Sequence, residues 1–283
     1  MDKIRQKLKM YAHHPASFLL ALLVWISAIF TAVTLIFIVG YILIKGVPHL
    51  TPQLFELEYN SENVSMFPAI INTIFMIMLS LLVAGPLGIF AAVYLVEYAK
   101  KGNKLMSVVR VTAETLTGIP SIVYGLFGML FFVTTLRWGY SMLAGAFTLA
   151  IMVLPVIMRT TEEALLAVPD TYREASFGLG AGKLRTIFVV ILPSAVPGIF
   201  SGVILSIGRI VGETAALMYT AGTVAELPDS VMSSTRTLSV HMYSLASEGL
   251  YVNQAYATAV VLLVIVLVIN WLSGRIARKI KKG

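Results

Sequence analysis

Cysteine is absent from this 283-residue chain, so it has no disulfide framework, no thiolate metal site and no cysteine nucleophile. Charge is scarce as well: Asp, Glu, Lys and Arg together make up 12% of the residues, against 58% hydrophobic ones. A water-soluble domain of ordinary composition cannot bury that much apolar surface, so lipid is expected to solvate much of the chain. Four histidines are present, two of them adjacent at His13 and His14. No HExxH or other ligand spacing accompanies them, which makes them interfacial or loop residues rather than a metal site. Acidic residues are outnumbered 14 to 21, for a net charge of +7. The basic residues are nevertheless scattered among apolar runs, not gathered on one face as nucleic-acid binding requires.

What the chain does have is long apolar runs. Crossing a hydrocarbon core of roughly 30 Å takes about 20 apolar residues in a helix. Six runs meet that need, at about 17–44, 69–96, 108–136, 140–158, 195–220 and 255–274. The first has the charged flank of a signal peptide but no small-residue cleavage site, and its core is too long, so it is expected to be a retained anchor. Gly85-Pro86 in the second removes an amide donor and predicts a kink. Gly118-Ile119-Pro120-Ser121 sets another break in the third. The fold class expected is an all-α polytopic membrane protein of six transmembrane helices, built as one transmembrane domain over residues 1–283.

Basic residues are retained on the cytoplasmic side of a membrane, and their positions orient the spans. Seventeen of the 21 lie on alternate segments: Lys3, Arg5, Lys7 and Lys9; Lys100, Lys101, Lys104 and Arg110; Arg159, Arg173, Lys183 and Arg185; Arg275, Arg278, Lys279, Lys281 and Lys282. Lys45, Arg137 and Arg236 fall on the other segments, and Arg209 belongs to neither set. Both termini are therefore expected on the cytoplasmic side of the membrane. The outer connections, 45–68 with Glu56, Glu58 and Glu62, and 222–254 with Glu226, Asp229, Arg236, His241 and Glu248, are either plain solvated loops or long enough to contact something beyond the membrane.

The longest cytoplasmic connection, 159–193, is not linker-like. Asp170-Thr171 offers a helix cap, and Phe177, Leu184, Ile187 and Phe188 recur near helical spacing, which predicts an amphipathic helix too short to span. Its residues also run in a long pattern: Glu174-Ala175-Ser176, three residues, Gly180, nine residues, then Val190-Ile191-Leu192-Pro193. This resembles the Glu-Ala-Ala, Gly, Ile, Leu-Pro signature of bacterial importer permeases of the ATP-binding-cassette class, with Ser176 for Ala and Val190 for Ile. The resemblance implies the type I importer permease fold, with this segment, about 170–193, as a coupling helix that docks a separate ATPase. Glu174, Ala175, Ser176, Gly180, Leu192 and Pro193 are the coupling residues it points to, with Glu174 as the anchoring charge and Gly180 as the turn. Gly178-Leu179-Gly180-Ala181-Gly182-Lys183 imitates a phosphate-binding loop, but the first Gly is one residue too close and Leu184 stands where Ser or Thr should hold Mg²⁺. No cofactor is expected in this chain, and ATP and Mg²⁺ belong to the partner subunit. The chain is read as a transport subunit and not an enzyme.

Two charge pairs fall inside apolar runs. Arg209 and Glu213 stand four apart in the fifth run and are expected to share one helix face near mid-bilayer. They form either a compensating pair or an anion station, since a guanidinium fork matches a tetrahedral oxyanion. Arg110 and Glu114 repeat the spacing at the cytoplasmic start of the third run, where an interfacial ion pair is favoured over a pathway role.

The stretches Gly118-Ile119-Pro120-Ser121-Ile122-Val123-Tyr124-Gly125-Leu126-Phe127 and Gly212-Glu213-Thr214-Ala215-Ala216-Leu217 are similar to the phosphate-specific permeases, and Asn270-Trp271 near the end points to the PstA type. That similarity implies an importer assembled from this subunit, a second homologous permease, an ATP-binding-cassette ATPase dimer and an extracytoplasmic phosphate-binding protein. The alternative cargo is another oxyanion: sulfate, molybdate or phosphonate.

Overall fold

In lipid an apolar segment has no water to satisfy its amides, and a helix satisfies them internally. The computed structural model describes residues 15–99 and 104–280, and among these the regular structure is helical throughout. Lys3, Arg5, Lys7, Lys9, His13, His14, Lys100, Lys101, Lys281 and Lys282 lie outside the described residues. We number the helices α1 (Pro15–Gly46), α2 (Phe67–Val93), α3 (Lys104–Thr117), α4 (Ser121–Gly128), α5 (Met142–Leu166), α6 (Asp170–Gly178), α7 (Lys183–Thr186), α8 (Leu192–Val211), α9 (Ala215–Met218), α10 (Leu238–Glu248) and α11 (Val252–Ile280). Short π-helical stretches extend α2 to Tyr98, extend α4 to Thr135, and join α7 to α8.

Five helices among the described residues are long and apolar enough to cross a membrane: α1, α2, α5, the continuous α7–α8 and α11. The expected span 108–136 is not one straight helix. Pro120 cannot continue α3, and α3 and α4 meet at 103° across the Gly118–Pro120 break. Span 195–220 is displaced in the structure: the helix begins at Lys183 and stops at Val211, because Gly212 caps it. Span 140–158 runs eight residues further, to Leu166.

α5 is the hub. In its most apolar stretch 67% of residues are buried inside the chain, against none in α1, so α1 faces lipid or a neighbour and α5 faces protein. Met76 of α2, Leu149, Met152, Val153 and Ile157 of α5, Ile210 of α8 and Leu217 of α9 form the main apolar cluster. A second cluster near the far end of α5 joins Leu165, Val168, Ile187 and Ile191.

The helices run between two faces. The start of α5 is bonded to the loop before α10, with Met142 N donating to Ser233 O at 3.0 Å, and its end meets α6. At 1.5 Å per residue these ends stand roughly 37 Å apart. Lys104, Arg110, Arg159, Arg173, Lys183, Arg185 and Arg275 lie toward the α6 face, and Lys45, Arg137 and Arg236 toward the α10 face.

Glycine lets α8 approach α5. A β-carbon on Gly202 would lie 2.7 Å from Thr160 Cβ and closer still to its hydroxyl, which is held by Val156 O at 2.8 Å. Gly202→Val is therefore expected to destabilise the chain by about 1–3 kcal/mol through overpacking. A lowered thermal midpoint of the detergent-solubilised protein would show it, whereas an unchanged midpoint would mean that α8 shifts freely.

Candidate functional site

Two broken helices meet at one depth. Tyr124 of α4 is buried, and its hydroxyl donates to Leu116 O across the first break at 2.7 Å. Gly125 packs directly on Ala216, so α4 lies against α9, just beyond the second break at residues 212–214. Backbone groups freed at such breaks inside a membrane persist where protein or a cavity satisfies them, and ion sites are commonly built there.

Arg209 stands in the last turn of α8, next to this meeting point. Gly202 faces Thr160 and Gly198 faces Ala164, a register that sets Arg209 level with Val153, near the middle of α5. Arg209 is half-buried and lies within electrostatic reach of the Tyr124 hydroxyl. Among the described residues Arg209 makes no ion pair.

The expected Arg209–Glu213 pair is therefore corrected. The helix ends before Glu213, so the two residues do not share a face. Glu213 is 8% exposed, and its carboxylate instead accepts from Ala216 N at 3.0 Å, capping α9. Ser239 Oγ of α10 donates to the Glu213 carbonyl at 2.6 Å. The break thus lies between a cation without an ion-pair partner among the described residues and a buried carboxylate held by the Ala216 amide.

The Arg110–Glu114 pair is corrected too. Because α3 crosses α5, Arg110 pairs with Glu162, while Glu114 lies 3.7 Å from Arg159, which also binds Glu163 at 3.3 Å. These five side chains line a cavity of about 260 Å³ together with Ala113, Met158 and Leu166.

On the α6 face one residue not singled out for a role in the sequence ties the segment down. Arg173 directs all five guanidinium donors to protein. Nε and Nη2 donate to Glu97 at 3.1 and 2.8 Å, Nη2 also to Leu165 O, and Nη1 to Val168 O and Asp170. The Asp170–Arg173 spacing is a legible i, i+3 pair. Glu97 lies 76 positions away, and no sequence signal joins it to Arg173. Asp170 itself occupies the first helical position, and Pro169 stands at the cap.

The predicted coupling residues divide by exposure. Glu174, Ala175, Gly180 and Pro193 are exposed, beside exposed Phe177, Leu179 and Leu184. Gly180 adopts φ +82°, which a side chain would strain, and turns the chain from α6 toward α7. Ser176 is buried, with its hydroxyl 2.8 Å from that of Thr186, so it clasps α6 to α7 and presents nothing outward. Leu192 packs partly buried against the second apolar cluster. Pro193 has no amide to continue the ladder, and Ser194 Oγ donates to Val190 O at 2.7 Å beside that gap.

Residues 84–282 match the family described as Binding-protein-dependent transport system inner membrane component. The probable ABC transporter permease protein YqgI of Bacillus subtilis is 34% identical over 277 residues, covering 90% of this chain and 94% of that protein. The phosphate transport system permease protein PstA of Haemophilus influenzae is 32% identical over 95% of this chain and 96% of its own length. The PstA of Pasteurella multocida is 40% identical over 72% of each. Among solved structures, a bacterial alginate ABC transporter in complex with a pentasaccharide-bound periplasmic protein aligns over 97% of this chain and 99% of its own, with TM-score 0.71 and 17% identity, a likeness of fold.

Proposed function

The chain belongs to the binding-protein-dependent transport system inner membrane component family, and we infer that it is the permease subunit of an ATP-driven phosphate importer. The observation that carries this reading is the 32–40% identity to PstA permeases over 72–95% of the chain. The PstA relatives of Haemophilus influenzae and Pasteurella multocida are phosphate transport permeases by name, which disfavours sulfate, molybdate or phosphonate. Labelled phosphate uptake in cells with and without this chain, with those three anions as competitors, tests it. Equal competition by sulfate would overturn the assignment.

In this reading the α6 face is cytoplasmic and both termini lie on that side. Arg209 offers forked donors to an anion at the meeting of the two broken helices, where no protein carboxylate pairs with it among the described residues. The Arg110–Glu162 pair closes the pathway between α3 and α5 on the cytoplasmic side. A second homologous permease completes the pathway, and a binding protein delivers the ion from outside. No bond is broken in this chain, since ATP is hydrolysed in the partner.

The exposed surface of α6 and α7 docks that ATPase. Exposed apolar side chains around one carboxylate suit insertion into a groove, and Arg173 carries the motion to α2 and α5 through Glu97, Leu165 and Val168. Glu174→Lys is expected to weaken ATPase association about tenfold by reversing the anchoring charge. Pull-down of the ATPase measures it, and an undiminished yield would move the anchor elsewhere on the segment.

A further inference from the structure

Arg236 lies on the α10 face, two residues before α10, and is only 5% exposed. The backbone around it is fixed at three points. Thr235 N donates to Ala221 O at 3.0 Å, Asn72 Nδ2 to Arg236 O at 3.4 Å, and Leu238 N to Thr73 Oγ1 at 2.9 Å. The side chain is not satisfied in the same way. Its guanidinium sits 4.7 Å from the Tyr59 ring centre, while Nε and Nη2 are buried without a hydrogen-bond partner. Among the described residues no carboxylate pairs with it.

His241, one turn further on, is fully buried and meets the same Tyr59 ring edge-on at 6.2 Å. Neither ring nitrogen is hydrogen-bonded, and the Val64 backbone approaches without reaching bonding geometry. Burial first, and then the charge of Arg236, push its pKa down to about 3, so the ring stays neutral at ordinary pH and keeps one N–H to donate. The fold thus pins the backbone at three points and leaves the three N–H donors on Arg236 Nε and Nη2 unbonded beneath an aromatic ring, with the neutral His241 ring buried beside them. A buried cation with free donors favours an anion.

We propose that Arg236 and His241 form an outer anion station beneath Tyr59, which takes the phosphate ion before it reaches Arg209. The proposal rests on the phosphate reading above. Tyr59 is half-buried and also lines a cavity of about 320 Å³ with Leu57, Glu58, Pro68, Glu226 and Leu227, so a swing of this ring joins that cavity to Arg236. Glu58 and Glu226 make the cavity a poor resting place for an anion, and attraction has to come from beneath the ring. The route onward is short: Ser239 of the same α10 turn bonds the Glu213 carbonyl, and Val240 packs in one cluster with Ile210.

The chain's lack of cysteine supplies the test. In the assembled transporter, Tyr59→Cys places one thiol of this chain beside the station, and its rate of maleimide labelling reports occupancy. Inorganic phosphate at twice its dissociation constant is expected to slow labelling about threefold, by simple occupancy. With Arg236→Gln added, the rate without phosphate should itself fall, because the thiol loses a cation that favours its thiolate. Protection is therefore read within each protein as the ratio of rates without and with phosphate, and with Arg236→Gln that ratio should drop to one. Arg236→Lys should restore part of the protection, because charge returns without the fork. Labelling indifferent to phosphate in the Tyr59→Cys protein, or protection that survives Arg236→Gln, overturns the station. Sulfate protecting where phosphate does not also overturns it as a phosphate site. Uptake of labelled phosphate by the unaltered transporter separately decides the cargo, so the two failures are distinguishable.

Discussion

Arg209→Gln should lower phosphate uptake by about a hundredfold while leaving the complex assembled. Two charge-assisted hydrogen bonds to a bound oxyanion contribute about 3 kcal/mol or more, and each 1.4 kcal/mol is about tenfold in occupancy. The fold does not depend on that charge. Arg209 is half-buried and unpaired, so its neutralisation leaves no buried partner stranded. Arg209→Lys should fall between, about tenfold below the unaltered protein, because an ammonium keeps the charge but lacks the fork. Initial rates of labelled phosphate uptake, normalised to permease co-purified with its ATPase, measure both. Uptake by Arg209→Gln at the unaltered rate would remove the anion from this site.

The second large effect lies at the α6 end of α5. Arg173→Ala strands Glu97, whose side chain is 9% exposed, and removes donors from Leu165 O and Val168 O. Breaking a buried pair from one side costs about 3–5 kcal/mol. The α6 segment should then detach from α2 and α5, giving ATP hydrolysis that no longer drives uptake, together with a lower thermal midpoint. Adding Glu97→Gln removes the stranded charge and should recover about 1–2 kcal/mol of that loss, a coupling that a double-mutant cycle isolates. Additive effects of the two substitutions would mean that the bolt between α6 and α2 contributes nothing.

Both sites were partly legible beforehand, in different ways. The Gly118-Ile119-Pro120 break was visible because proline removes an amide donor wherever it stands, but the 103° turn was not, since the angle depends on α3 finding Glu162 and Arg159 on α5. Arg209 stood out as a charge in an apolar run. Its pairing with Glu213 was misjudged because helical spacing was carried through Gly212, where the helix stops and Ala216 N supplies a nearer donor. Ser176, a departure from the family pattern on paper, proves to be a clasp to Thr186.

The apolar runs, the alternation of basic residues and the order Glu174 to Pro193 are properties of the chain itself. Composition and local spacing determine them, because hydrophobic length and backbone chemistry act within a few residues. The tertiary structure decided the rest. Whether Arg110 meets Glu114 or Glu162, whether Arg173 finds Glu97, and whether Arg236 is buried without a partner all depend on which helices pack together, and contacts between residues 50 or more positions apart leave no mark on local sequence.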